Sequence, residues 1–240
     1  MLQNISGIFF DYFETIIDGS FAIKSVWSRI AHKYGVKISP KDPRIWEGMK
    51  NQIKAYEILR EKYLKSNKEF RGLSVSDNYK INLHVIRAMG IEKEVPPDVI
   101  RDEFDFEFAN GQNLNLHFGV KDTLVNLRKR NLKIGILSNG YKDQIKRNLE
   151  RLGVLDYFEV FVCAGDHGYH KSEIEVYKFA LRKMNAQNPE TIVHVGDDPL
   201  TDVRMAQRVG MIPVLFTPYY IHKMDKVITI KQIPELLNYL

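Results

Sequence analysis

The 240-residue sequence predicts an α/β fold: a doubly wound, Rossmann-like parallel sheet interrupted just after its first strand by an inserted block of helices. Three observations carry this expectation. Beyond Gly119, short apolar runs alternate with amphipathic stretches, the pattern of βαβ units around a parallel sheet. Residues 20–110 show helical spacing instead. GIFF, residues 7–10, reads as a strand cut off from the others by that helical block. The expected division is therefore a core of residues 1–19 and 111–240, with a helical domain of residues 20–110.

In chain order, GIFF is a short buried strand that ends at Asp11. FAIKSVWSRIAHKYG, MKNQIKAYEILREKYL and NYKINLHVIRAMG follow as amphipathic helices, punctuated by Pro40, Pro43, Pro96 and Pro97. The core then resumes. LKIGILS, FEVFVCA, TIVHVGD and MIPVLFT are the strand candidates; VKDTLVNLRKR, KDQIKRNLERLG, IEVYKFALRKM and LTDVRMAQRVG are the helices beside them.

Composition narrows the class. A hydrophobic content of 44% with 27% charged residues is ordinary for a globular protein. No apolar run approaches the roughly 18 residues that a membrane span requires. MLQNISG lacks a basic segment followed by an apolar one, so no secretory signal and a cytoplasmic location are expected. A single cysteine, Cys163, excludes an intramolecular disulfide and a cysteine-built metal site. The net charge of +5 is uneven: residues 24–71 hold 13 basic residues against five acids, and residues 77–107 hold eight acids against four bases. Basic residues spread along helices read as a solvated face, and no nucleic-acid motif accompanies them.

Asp11 poses the functional question. A carboxylate at the end of a buried strand is costly unless it is paired, binds metal or does chemistry; it also serves simply to cap a turn. The other strands end similarly. ILSNG supplies Ser138, Asn139 and Gly140; GDHGYHK, after FEVFVCA, ends in Lys171; HVGDDPLTD supplies Asp197, Asp198 and Asp202. Ligands of open parallel sheets bind outside the carboxyl ends of the strands, so these four segments converge on one place.

Asp11 to Thr15, Ser138-Asn139, Lys171 and GDDPLTD, in that order, resemble the four motifs of the haloacid dehalogenase (HAD) superfamily of hydrolases, in the subclass with a helical cap inserted after the first motif. The resemblance covers nearly the whole chain, although the cap matches only in position and helical character. It implies covalent phosphoryl transfer. Asp11 would attack phosphorus and form an aspartyl phosphate that water hydrolyses. Mg²⁺ would be held by Asp11, the backbone carbonyl of Phe13 and Asp197. Lys171 would add a second cation placed by Asp202, with Asp198 in support. Ser138 and the adjacent backbone N–H groups would hold the transferring oxygens, with Thr15, Asn139 and Gly140 binding substrate. The implied substrate is a small phosphorylated metabolite; neither a nucleic acid nor a membrane is expected as partner.

Three positions depart from the family pattern. Phosphatases of the family carry a second Asp two residues after the nucleophile, where this chain has Phe13, which moves no proton. Glu14 is poorly spaced to replace it, and His167 and His170 read as solvent-exposed loop residues. An aromatic there, together with Tyr177, is similar to the metal-independent 2-haloacid dehalogenases, but those enzymes replace the acid found here as Asp197 and carry Asn where this chain has Pro199. Tyr177 also reads as an aromatic packed on the sheet. Ser172 follows Lys171 where the family favours Pro. The expectation is a Mg²⁺-dependent phosphatase. Its alternatives are a HAD-fold protein that binds a ligand or partner with little catalysis, and a dehalogenase.

Overall fold

In a computed structural model that describes residues 2–65, 73–218, 224 and 226–240, the chain folds as two compact units. One comprises Met1–Asp18 and Asn115–Leu240, the other Gly19–Leu114. Lys68, Glu69 and Arg71 of the basic stretch lie outside the described residues.

The first unit is built on six parallel strands: β1 (Gly7–Phe10), β4 (Lys133–Ser138), β5 (Val160–Cys163), β6 (Ile192–Gly196), β7 (Ile212–Phe216) and β8 (Ile228–Ile230). Their order is β5-β4-β1-β6-β7-β8. The chain thus winds outward from β1 in both directions, and β1 marks the topological switch point, where such sheets bind ligands. Ile8, Phe9 and Phe10 are wholly buried, each worth roughly 1.5–3 kcal/mol of hydrophobic burial. The strands alternate as a pleat requires. Phe9, Leu137, Val160 and Val162 face Val176, Tyr177 and Ala180 of α7 (Ile174–Met184) in one core cluster. Also in this unit, α5 (Val120–Lys129) packs on β4 and α6 (Lys142–Arg151) on β5.

Besides the short β8, two features were not legible in the apolar pattern. A two-residue antiparallel ribbon pairs β2 (Ile17–Asp18) with β3 (Asn115–Leu116), where the chain leaves and re-enters this unit. LTDVRMAQRVG is not one helix: Pro199–Val203 forms a wide turn of π type, followed by the short α8 (Arg204–Arg208). Pro199 opens the turn and the Asp198 carboxylate caps it, accepting from the N–H groups of Leu200 at 2.6 Å and Thr201 at 3.0 Å.

The second unit is helical: α1 (Ser20–Lys33), α2 (Pro43–Lys65), α3 (Val75–Ala88) and α4 (Pro97–Asn110). Pro43 and Pro97 open helices rather than merely separating them, since the first helical position needs no N–H donor. Ser74 caps α3 by accepting from Asp77 N–H at 3.0 Å. α4 ends at Gly111, whose φ of +66° suits glycine's freedom in the left-handed region. The unit's own core joins Val26, Trp27 and Ile30 of α1 to Ile45 and Met49 of α2, Val85 and Ile86 of α3, and Ile100 of α4.

Candidate active site

Four of the expected residues meet at the carboxyl ends of the strands. Asp11 follows β1, and its N–H bonds to the Val195 carbonyl of β6 at 2.8 Å, extending the ladder one residue beyond the strand. Lys171 lies in the turn before α7, three residues short of the helix. Its ammonium is buried against two carboxylates, in direct contact with Asp11 and 2.5 Å from Asp202. Asp197, directly after β6, completes the group: Asp11, Asp197 and Asp202 each present an oxygen within 4.8 Å of the others.

Gly196 explains how Asp202 fits. A Cβ on Gly196 would lie 2.2 Å from the Asp202 carboxyl carbon, so the side chain occupies the space a larger residue would need. That carboxylate accepts from Asp198 N–H at 3.0 Å through Oδ2 and from His194 Nε2 at 2.9 Å through Oδ1.

The electrostatics are unbalanced. Three carboxylates face one ammonium. Burial pushes the Asp11 carboxyl up to about 6; Lys171 opposes the rise and Asp202 adds to it. Asp197 is driven well above the ordinary carboxylate range by burial and by the charges of Asp11, Asp202 and Asp198. Asp202 goes the other way: despite its burial, Lys171 and His194 hold it below that range. Burial would lower Lys171, but Asp11 and Asp202 outweigh it and raise the ammonium. The group is therefore short of positive charge at Asp11 and Asp197. A set of hard oxygen ligands with unmet negative charge fits a hard divalent cation such as Mg²⁺.

The second and third segments form a linked loop cluster. Ser138, at the end of β4, is buried and its Oγ accepts from Gly140 N–H at 3.1 Å. Asn139 Oδ1 accepts from Lys171 N–H at 2.7 Å, which ties the two loops together. Thr15 is wholly buried, and its hydroxyl has no hydrogen-bond partner among the described residues. Phe13 occupies the half-buried turn between β1 and β2. His167 is exposed, as expected. His170 is not: it is half-buried, 3.2 Å from Asn139 Nδ2 through Nε2 and 2.9 Å from Ser172 Oγ through Nδ1. Asn139 is oriented by the Lys171 N–H, which turns its amide nitrogen toward His170 Nε2, while Ser172 N–H donates to Nδ1 at 3.2 Å. These contacts make His170 a brace for this loop, and burial and the neighbouring Lys171 lower its imidazole.

His194 was missed by sequence reasoning, although a histidine inside the buried strand TIVHVGD is the signal that finds it. Tyr177 is wholly buried and packs on the sheet, its ring edge-on to His194 at 5.4 Å.

The chain is 28% identical over 214 residues to the uncharacterized hydrolase C7D4.05 of Schizosaccharomyces pombe, covering 87% of this chain and 89% of the relative. It is 26% identical over 212 residues to a glyceraldehyde 3-phosphate phosphatase of Methanothermobacter thermautotrophicus, covering 88% and 85%. The fold matches the crystal structure of the HAD-hydrolase YfnB from Bacillus subtilis with a TM-score of 0.77 and 15% identity over 99% of both chains. The family model for haloacid dehalogenase-like hydrolases matches residues 5–210. Sequence, fold and family match agree: the chain belongs to the haloacid dehalogenase-like hydrolases.

Proposed function

We propose that this hydrolase is a Mg²⁺-dependent phosphatase of a small phosphorylated metabolite, with Asp11 as nucleophile. The observation that carries the reading is the buried group of Asp11, Lys171, Asp197 and Asp202, in which three carboxylates share one ammonium. The name of the phosphatase relative supports the same chemistry.

Asp11, Asp197 and the backbone carbonyl of Phe13 would hold the cation, which when bound offsets the repulsion between a carboxylate and a phosphate dianion. Asp11, raised to about 6, is largely ionised at neutral pH and so retains a nucleophilic oxygen. Its Oδ forms a bond to phosphorus as the ester P–O bond breaks, and the leaving oxygen departs with the bonding pair. Water then attacks the aspartyl phosphate, releasing phosphate and restoring Asp11. Lys171 steadies the negative charge on the transferring oxygens from a position set by Asp202 and by the loop of Asn139. Ser138, its hydroxyl oxygen held by the Gly140 N–H, and the N–H of Asn139 supply further donors, with Thr15 on the turn after the nucleophile. Asp198 contributes by capping the turn that carries Asp202. Phe13 offers no proton to the leaving group, so the enzyme favours esters whose leaving groups are stable as anions.

The dehalogenase reading rests on Phe13 and Tyr177. Tyr177 spends its hydroxyl proton on the Thr201 carbonyl, and retention of Asp197 favours the metal-dependent reaction. A panel of phosphate esters, assayed for phosphate release with and without EDTA beside chloride release from 2-chloropropionate, separates the readings. Metal-dependent phosphate release is the expected result. Metal-independent chloride release selects the dehalogenase, and silence in both selects a binding protein.

A further inference from the structure

We propose that His194, seated against Tyr177, is a positioning residue that aims Asp202 at Lys171 and away from the cation site. The proposal rests on the reading of Lys171 and the carboxylates given above and adds a residue outside the family motifs.

His194 lies in the middle of β6, opposite Phe9 on one side and Pro213 on the other, and is almost wholly buried. An imidazole in a central strand is costly unless its polar atoms are used. Here Nε2 lies 2.9 Å from Asp202 Oδ1, the same oxygen that accepts from Lys171 at 2.5 Å. The proton on Nε2 follows from the partners. Asp202, held ionised, only accepts, and Tyr177 donates its hydroxyl proton to the Thr201 carbonyl while its oxygen lies 3.3 Å from Nε2. One tyrosine therefore anchors the residue before Asp202 and sits against the same ring nitrogen that meets Asp202.

Asp202 stands at a fork. One of its oxygens lies within 4.8 Å of a ligand atom of Asp11 and one of Asp197. A carboxylate released from His194 would be free to turn toward the cation position and leave Lys171. His194 Nε2–H holds Oδ1 at the ammonium, Asp198 N–H holds Oδ2, and the space at Gly196 admits the side chain in that pose. Three independent features set one rotamer.

The test compares His194→Leu, His194→Gln and Tyr177→Phe by crystal structure, thermal melt, and kcat and KM on a phosphate ester that the wild type hydrolyses. In His194→Leu we expect Asp202 to swing from Lys171, with kcat falling about 10- to 100-fold and KM little changed, as for other residues that orient a site's ligands. His194→Gln keeps an N–H donor and should recover part of kcat; Tyr177→Phe should show a smaller loss than His194→Leu. An intact Lys171–Asp202 contact and a wild-type kcat in His194→Leu overturn the proposal. Lower melting temperatures with unchanged kcat assign His194 to structure alone and overturn it equally. Should His194→Leu fail to fold, the crystal structures and kcat of the other two variants decide. If the wild type hydrolyses no phosphate ester, the phosphatase reading fails separately, and the Lys171–Asp202 geometry in the variant crystals still decides the role of His194.

Discussion

Each unit buries a cluster of charges, and the two clusters are balanced differently. In the helical unit, Glu103 and Glu107 are buried on α4 and face Arg29 and Lys33 of α1: Arg29 reaches Glu103 at 2.7 Å and Glu107 at 2.6 Å, and Lys33 reaches Glu103 at 2.5 Å. Asn113 adds a donor to Glu107 at 2.7 Å. Two cations answer two carboxylates, and Glu103 is held below its ordinary range because Lys33 and Arg29 outweigh its burial. In the sheet unit three carboxylates share Lys171, and Asp11 and Asp197 are pushed upward. A balanced cluster ties helices together. An unbalanced one is what the proposed function requires, since a cation and an anionic substrate would complete it.

Breaking the unbalanced cluster should change chemistry more than stability. Asp11→Asn removes the proposed nucleophile, and turnover measured as phosphate release should fall to background. Its melting temperature should equal or exceed that of the wild type, because one of three crowded carboxylates is gone. Wild-type-like turnover in the purified variant would remove Asp11 from the mechanism. Sharpening the site should work in the opposite direction. Phe13→Asp should raise the rate on an alkyl phosphate by up to roughly 10²-fold, the size of a general-acid contribution, with little gain on an aryl phosphate. Equal wild-type rates on both esters would mean that another group already supplies the proton.

Much of this contrast was legible in the sequence. Asp11, Lys171, Asp197 and Asp202 stand out because parallel strands place their carboxyl ends together, and the order of the motifs specifies which loops converge. The wide turn at Pro199–Val203 was not legible, since its apolar spacing mimics a helix and only the Asp198 cap and Pro199 break it. β8 was hidden by its length of three residues. The role of His194 was hidden for a different reason: its partner lies eight residues along the chain and meets it only because the turn folds back over Gly196. The pairing of Arg29 with Glu103, 74 residues apart, left no local signature at all.

The balanced cluster should respond in stability alone. Arg29→Met should destabilise the helical unit by about 1–2 kcal/mol, less than the loss of a fully buried pair because the Arg29 side chain is 33% exposed. Chemical denaturation of the variant checks this, and an unchanged midpoint would reduce the cluster to surface decoration. The smallest effect concerns acid. Glu103 has a depressed folded value, so its contribution is present above the ordinary glutamate range and is lost as pH falls through the folded value. Unfolding midpoints between pH 6 and pH 3 should fall more gently in Glu103→Gln than in the wild type; parallel curves would contradict that assignment.

If the unmet charge at Asp11 and Asp197 is a cation site as proposed, calorimetric titration of Mg²⁺ into the wild type and into Asp197→Ala will separate the two proteins. Saturable binding near one ion per chain is expected in the wild type, weakened in the variant, with activity partly restored at high Mg²⁺. Indistinguishable titrations of the two proteins, or wild-type turnover unaffected by EDTA, would contradict that proposal.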